Sequence, residues 1–447
     1  MTKSIITSLL IIFTTISLYA VEQPESHRDK IDAIFSQWDV PGSPGCAVGI
    51  YHNGEIIYQR GYGFANLENQ EPIAPESVFY VGSVSKQFTA AAIAVLIDRG
   101  DIAPDDDIRT FIPELPEYER PIPVKSLIYH TSGLRDLYAL MTIADIDVAG
   151  EISTPEFLDV IKRQSDLHFL PGDEHVYSNS GYTLMAILVE RVTGKSLREF
   201  TRQNIFEPLG MSNTHFHDNR NEMIRNRVLS YQPGEESSFN LSYLWNFEGV
   251  GPGGLYTTIA DLFLWDQNFY NNRLDQAPHL LDIMHTRGIL TNGDTLDYAF
   301  GLDFNTYHGL ELVGHSGAFM GFRAQYDRIP AHNFSSVILC NLGSINPAGL
   351  SRDIIDIYFE ELIAEYLHDY TGYFSNPDFG VSCNLIVEDG KLFIKDHSML
   401  EGPLRYSGKD TFTRNGWEIR FIRDDMNIVE GFMLGTARAR DVYFVKK

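Results

Sequence analysis

The spacing of apolar positions changes several times along this chain, and each change marks a different kind of element. Between residues 26 and 40, Ile31, Ile34 and Phe35 recur at helical spacing, which predicts an amphipathic helix. GCAVGIYHNG and EIIYQRGYGFAN then read as two strands joined at Asn53-Gly54, a dipeptide suited to a tight hairpin. From Phe88 to Leu96 the residues are apolar almost all round, which predicts a buried helix, and Gly100 supplies a left-handed stop. Helical spacing returns at 155–164, 180–193, 196–205 and 259–270. Four β segments lie within 298–342 (GLDFNTY, LELVGHSG, FRAQYDRI and SSVILCNL), and a helix is predicted over 351–367.

Two strands, many helices, then more strands imply one sheet assembled from distant segments and flanked by helices, with an all-helical region between. A cleft between two such regions is the expected place for a site. Residues 371–447 differ: LIVEDGKLFIKD reads as a hairpin over Asp389-Gly390, and WEIRFIRDD, IVEGFMLG and DVYFVKK alternate at period two. This tail is expected to form a small antiparallel β domain, a sandwich or a barrel.

Composition narrows the partners more than the fold. With 44% hydrophobic and 12% aromatic residues, the 447-residue chain can fill a sizeable core. A formal net charge of −25 argues against nucleic acid and anionic membrane surfaces. The segment MTKSIITSLLIIFTTISLYAVEQPE has an early lysine, an apolar run to Leu18 and then Ala20 before polar sequence. That pattern predicts a secretory signal peptide over residues 1–20 and a protein exported to the periplasm or secreted. Cys46, Cys340 and Cys383 show no metal spacing, and an odd count leaves at least one thiol free. Cys46 and Cys340 sit in apolar strand-like runs and read as buried thiols, a disulfide between them being the alternative. No zinc, calcium or nucleotide motif occurs, so no metal and no cofactor is expected.

Candidate chemistry begins in FYVGSVSKQFTAAAIAVL, residues 79–96. Residues three apart share a helix face, so Ser83 and Lys86 can touch, whereas Ser85 points away. A serine hydroxyl needs a base to become a nucleophile. A lysine buried beside a helix N-terminus loses its proton more readily, through desolvation and the positive end of the dipole. Further on, Tyr177-Ser178-Asn179 occupies a turn before a helix that ends at Gly194, where a phenol and an amide two residues apart can face one cleft. His315-Ser316-Gly317 lies on a strand, and Gly317 allows a substrate backbone to approach closely. His130, in YHTSG, is expected to support a loop through side-chain hydrogen bonds. DIAPDDDI, 101–108, reads as a solvated turn, and the aromatic-rich stretch 238–254 as a cleft wall or core.

Ser-x-x-Lys, Tyr-x-Asn and His-x-Gly in this order resemble the penicillin-recognising serine hydrolase superfamily, which includes class C β-lactamases, DD-carboxypeptidases, D-aminopeptidases and esterases. LIYHTSGLRDLY, YSNSGYTLMAILVERVTGKSL, IFEPLGMSNT and GPGGLYTTIADLFLW resemble family blocks in the same order, so the likeness spans about residues 28–365. It implies an α/β (α+β) fold of the β-lactamase/transpeptidase type: an antiparallel sheet flanked by helices plus an all-helical region. The hydrolase domain would cover 21–367, with the small β domain at 371–447, which resembles the barrel of some D-aminopeptidase-like relatives. Carried over by residue, Ser83 is the nucleophile, Lys86 its proton-relay partner and Tyr177 the general base. Which of Lys86 and Tyr177 holds the proton is a coupled question left open. Asn179 would bind the substrate amide carbonyl, and His315, Ser316 and Gly317 would line the substrate, His315 facing its carboxylate or leaving group. The backbone N–H groups of Ser83 and Ala318 would form the oxyanion hole. Class C β-lactamases resemble Lys-Thr-Gly where His315-Ser316-Gly317 stands, which turns the expectation from β-lactams toward small amides or esters. The expected partner is a small molecule or short peptide, peptidoglycan-derived fragments included. A β-lactamase or a slow penicillin-binding sensor is the alternative, and nothing in the chain specifies an oligomeric state.

Overall fold

The protein is described by a computed structural model covering residues 26–147, 150, 152–242, 247–388 and 390–447. The signal-like segment 1–20 and Asp389 of the expected hairpin lie outside the described residues. A six-stranded antiparallel sheet joins β1 (Cys46–His52) and β2 (Glu55–Tyr62) to β3 (Asp303–Tyr307), β4 (Leu310–Phe319), β5 (Phe322–Ile329) and β6 (Phe334–Cys340). The order across it is β3-β4-β5-β6-β1-β2, so the early hairpin is an edge added to the later strands. The β1–β2 turn takes positive φ at Asn53 and Gly54, as the dipeptide predicts.

Both faces of this sheet are covered, which explains its nearly continuous apolar runs. Along β1 and β6, Ala47, Tyr51, Val337 and Leu339 enter one core, while Cys46, Val48, Ile50, Ile338 and Cys340 enter another. The first core also takes up the helix α2 (Lys86–Asp98), every side chain of which from Lys86 to Leu96 is buried. The second collects α1 (His27–Phe35) and the helices that follow the sheet. The register sets Cys46 opposite Cys340, and the two form a disulfide. The reading of two separate buried thiols is thus corrected; Cys383 is free and buried.

Between the two sets of strands lie α3 (Leu137–Ile143), α4 (Asn179–Thr193) and α5 (Ile259–Asn268), among other short helices. α4 ends at Gly194 in the left-handed conformation, as expected. The helix foreseen over 351–367 is instead two, α6 (Pro347–Tyr358) and α7 (Glu360–His368). The chain breaks at Phe359, with φ −118° and ψ 23°, where the ring turns inward against Phe334 and His332.

Residues 372–446 form, among the described residues, a nine-stranded antiparallel sheet. Its first strand, Gly372–Asn376, pairs with its last, Val442–Lys446. Its two edge strands, Gly402–Pro403 and Arg405–Gly408, are consecutive in the chain, so the sheet curls back on itself in a barrel-like form. Phe374, Ile419, Phe421 and Phe432 fill its interior and merge with the core under α6 and α7.

Candidate functional site

Ser83 sits in a single 3-10 turn, Gly82–Ser85, that leads directly into α2. Two glycines allow this turn to press on β4. Gly82 has φ +53°, and a Cβ there would lie 2.7 Å from the Ala318 backbone nitrogen. A Cβ on Gly317 would lie 2.0 Å from the Val81 carbonyl oxygen and 3.2 Å from the Ser83 nitrogen. The sequence reading gave Gly317 to an approaching substrate; the backbone that approaches it is the chain's own. The consequence is chemical, because the backbone segments that carry the Ser83 and Ala318 N–H groups lie against each other. Ser85 is buried, its hydroxyl donating to the Gly82 carbonyl at 2.6 Å, and it takes no part in this contact.

Lys86 is 0% exposed. Its Nζ donates to Ser83 Oγ at 3.1 Å, to Asn179 Oδ1 at 2.8 Å and to the Pro252 carbonyl at 2.9 Å. It also lies 4.8 Å from the centroid of the Tyr177 ring and 5.3 Å from that of Tyr182. Burial lowers its pKa to about 7, against the opposing pull of the Asp136 and Asp303 carboxylates. Near neutral pH this amine therefore exists in both protonation states.

Tyr177 and Asn179 are brought to Lys86 by the turn before α4. Tyr177 is 39% exposed as a residue, yet its phenol points into the site, where burial raises its pKa well above the ordinary value; a hydrogen bond with the Ser83 side chain opposes that rise. Asn179 is clamped. Both its backbone N–H and its Nδ2 donate to Asp136 Oδ2, at 2.8 and 2.7 Å, while Asp136 Oδ1 caps α3 by accepting from the Tyr138 and Ala139 N–H groups. Both ends of the Asn179 amide are thus held by protein, and the second hydrogen of Nδ2 is the one a substrate carbonyl can accept from. Asp136 was not singled out in the sequence, although an aspartate just ahead of a helical segment is a legible N-cap signal.

His130 holds this turn from below. Its Nδ1 accepts from the Ser178 N–H at 3.1 Å, and its ring lies 4.3 Å from that of Tyr177. Burial pushes its pKa well down, so the ring is neutral and its proton is on Nε2, which donates to the Tyr298 hydroxyl at 3.1 Å. The supporting role read from YHTSG is what its hydrogen bonds describe.

His315 lies on β4, 3% exposed, its ring 6.2 Å from that of Tyr177. Its Nδ1 donates to the Ser316 carbonyl at 2.6 Å, and its Nε2 is 3.4 Å from the Tyr298 hydroxyl and 4.0 Å from Asp303 Oδ2. Burial lowers its pKa, an effect that the Asp303 carboxylate opposes. Ser316 and Ala318 are exposed on the same strand. β3 pairs with β4 only as far as Gly314, so residues 315–319 present an edge that no described strand covers on that side. Such an edge can hydrogen-bond an extended substrate. Among the described residues no cluster of three or more His, Cys, Asp or Glu is placed to hold a metal ion.

The geometry assembles a hydroxyl, an amine that titrates near neutrality, a phenol and two neighbouring backbone N–H groups, the parts an acyl transfer needs. Fold and site together define the class of serine hydrolases that employ a lysine in place of the more familiar histidine. Residues 31–356 match the family described as Beta-lactamase, and the chain belongs to this family of serine hydrolases. A D-aminopeptidase of Brucella anthropi is 28% identical over 303 residues, 67% of this chain and 56% of the relative. A D-aminopeptidase of Brucella canis is 28% identical over 308 residues, 69% of this chain and 58% of the relative. The chain thus spans little more than half the length of these curated relatives. Among solved structures, the octameric penicillin-binding protein homologue from Pyrococcus abyssi superimposes with a TM-score of 0.65 at 22% identity, covering 94% of this chain and 99% of that one. A D-amino acid amidase from Ochrobactrum anthropi, complexed with L-phenylalanine amide, gives 0.62 at 21% identity, covering 74% and 98%. The structural likenesses establish the fold, including the C-terminal sheet in the first case.

Proposed function

We propose that the protein is an exported serine hydrolase that forms an acyl-enzyme on Ser83 and acts on small amides or esters, in the manner of D-amino acid amidases and D-aminopeptidases. The observation that carries this is the buried Lys86 amine, 3.1 Å from Ser83 Oγ and with a pKa near 7. Its neutral form takes the Ser83 proton as the Oγ–carbon bond forms, and the developing oxyanion meets the N–H groups of Ser83 and Ala318. The carbon–nitrogen or carbon–oxygen bond then breaks, and the departing atom receives a proton through the Tyr177 phenol. Water attacks the acyl-enzyme by the same relay, restoring the Ser83 hydroxyl and releasing the acid. Because burial keeps the phenol protonated at neutral pH, Lys86 is the resting base and Tyr177 the conduit.

The D-aminopeptidase relatives and the amidase of like fold support the substrate class. Export is supported by the signal-like pattern of residues 1–20 and by the Cys46–Cys340 disulfide, since such bonds persist in oxidising compartments. The test is a substrate panel: short nitrophenyl esters, D-amino acid amides, their L-enantiomers and a chromogenic cephalosporin, with wild type and Ser83→Ala. The proposal expects turnover of esters and D-amides, lost in the variant. Turnover surviving in Ser83→Ala, or hydrolysis confined to the cephalosporin, would overturn it.

A further inference from the structure

We propose that Asp303 makes this site selective for leaving groups that carry an ammonium or a neutral N–H donor, and hostile to those that carry a carboxylate. The inference rests on the acyl-transfer reading above and specifies its substrate class. It begins with where a leaving group must lie. The acyl carbon is fixed by the Ser83 hydroxyl and the Ser83 and Ala318 N–H groups, and the departing atom must reach the Tyr177 phenol for its proton. Beside that phenol stands His315, the first residue of β4 past the point where β3 stops pairing and the strand edge opens. Substituents on the departing atom therefore extend over His315, Tyr298 and Asp303.

What these three groups present follows from their hydrogen bonds. Ser178 N–H occupies His130 Nδ1, so His130 Nε2 carries the proton and donates to the Tyr298 oxygen. The Tyr298 proton then has two acceptors, the Tyr182 oxygen at 3.3 Å, whose own proton goes to the Ile128 carbonyl, and His315 Nε2 at 3.4 Å. The other nitrogen of His315, Nδ1, faces the Ser316 carbonyl at 2.6 Å, an oxygen that can only accept, so Nδ1 bears the ring proton. His315 Nε2 consequently carries a lone pair and has no proton to give a carboxylate. Four ångströms from that nitrogen lies Asp303 Oδ2, on a side chain that is 39% exposed. Asp303 and Tyr298 face each other across a tight loop closed by the Ala299 N–H bonding the Leu302 carbonyl at 2.9 Å, which fixes the backbone from which the carboxylate projects. Arg287, on the neighbouring segment, is committed to Asp297 and the Leu296 carbonyl. His175, its ring 5.8 Å from that of Tyr298, is the other imidazole here, and burial lowers its pKa and favours the uncharged form. Lone pairs and a carboxylate thus dominate the leaving-group side, an environment that accepts N–H donors and repels a carboxylate.

The test joins one D-phenylalanyl acyl group to ethylenediamine, to glycinamide and to glycine, giving cationic, neutral and anionic leaving groups, and measures kcat/KM for wild type and Asp303→Asn. We expect wild type to prefer the cationic over the anionic substrate by on the order of ten-fold to a hundred-fold, and Asp303→Asn to compress that ratio about ten-fold. Any effect of the substitution on Lys86 falls on all three substrates alike and cancels in the ratio. Equal wild-type rates, a preference for the glycine substrate, or a ratio unchanged in Asp303→Asn would overturn the proposal. Failure of the underlying hydrolase reading would look different: no turnover of any of the three. In that event the same compounds are compared as protectors of the protein against a fluorophosphonate probe. Tighter protection by the ethylenediamine compound, lost in Asp303→Asn, sustains the assignment, and equal protection by all three removes it.

Discussion

The acid limb of the pH–rate profile follows directly from the burial of Lys86. In this account acylation requires the neutral amine, so the rate is low where Lys86 is protonated and rises as pH passes its pKa. With that pKa at about 7, roughly 3% of the enzyme is active at about pH 5.5 and roughly 97% at about pH 8.5, a rise of about 30-fold. An unperturbed lysine would behave otherwise: with a pKa near ~10.4, the rate would keep climbing across that whole interval and beyond, close to tenfold per pH unit. The assay is kcat/KM for a nitrophenyl ester, corrected for spontaneous hydrolysis, because kcat/KM reports groups of the free enzyme. One ionisation centred near neutrality is expected, with no second basic group emerging below about pH 10, since burial also keeps the Tyr177 phenol protonated. A flat profile over that range, or a limb centred near the normal lysine value, would refute the claim that burial tunes Lys86 as the base.

Tyr177→Phe keeps the ring over Lys86 but removes the proton conduit, and should slow acylation by about two to four orders of magnitude with an unchanged melting temperature. Gly317→Ala places a methyl 2.0 Å from the Val81 carbonyl oxygen; the turn must move away from β4, and ester turnover should fall by roughly 100-fold or more as the Ser83 and Ala318 N–H groups separate. Replacing Cys46 and Cys340 together by alanine opens a cross-link spanning 294 residues, and should lower stability to chemical denaturation by about 2–5 kcal/mol, reductant having the same effect on wild type.

Features generated by local sequence were legible from the residues themselves, whereas among those generated by distant partners only the meeting of Tyr177, Asn179 and His315 with Ser83 was expected, and that through the family resemblance. Ser83 and Lys86 meet because they are three apart at a helix start, a relation that needs no knowledge of the rest of the chain. Asn53-Gly54, Gly194 and the period-two tail carry their conformations in their own residue types. By contrast, the Pro252 carbonyl that anchors Lys86 comes from 166 residues away and belongs to a backbone group, which no side-chain pattern announces. Asp136 carries a local signal as a helix cap, but its second oxygen, which clamps Asn179 from 43 residues upstream, is a tertiary fact. Tyr298 and Asp303 resemble any residues before and at a strand start until β3 aligns them beside His315. The pairing of Cys46 with Cys340 depends on the register between β1 and β6, and the same reading of apolar runs serves paired and free thiols equally. The break at Phe359 interrupts residues whose helical spacing continues on either side, because packing against Phe334 outweighs the regularity of one helix.

Covalent trapping examines the central claim most directly. The protein is mixed with an excess of a nitrophenyl ester, quenched in acid within the first turnover, weighed intact by mass spectrometry and then mapped as peptides. The account predicts a gain of one acyl group, located on Ser83 within the segment 79–96, and none in Ser83→Ala. An acyl group found instead on Ser85 or Lys86, or ester turnover that proceeds through no covalent species at all, would contradict it.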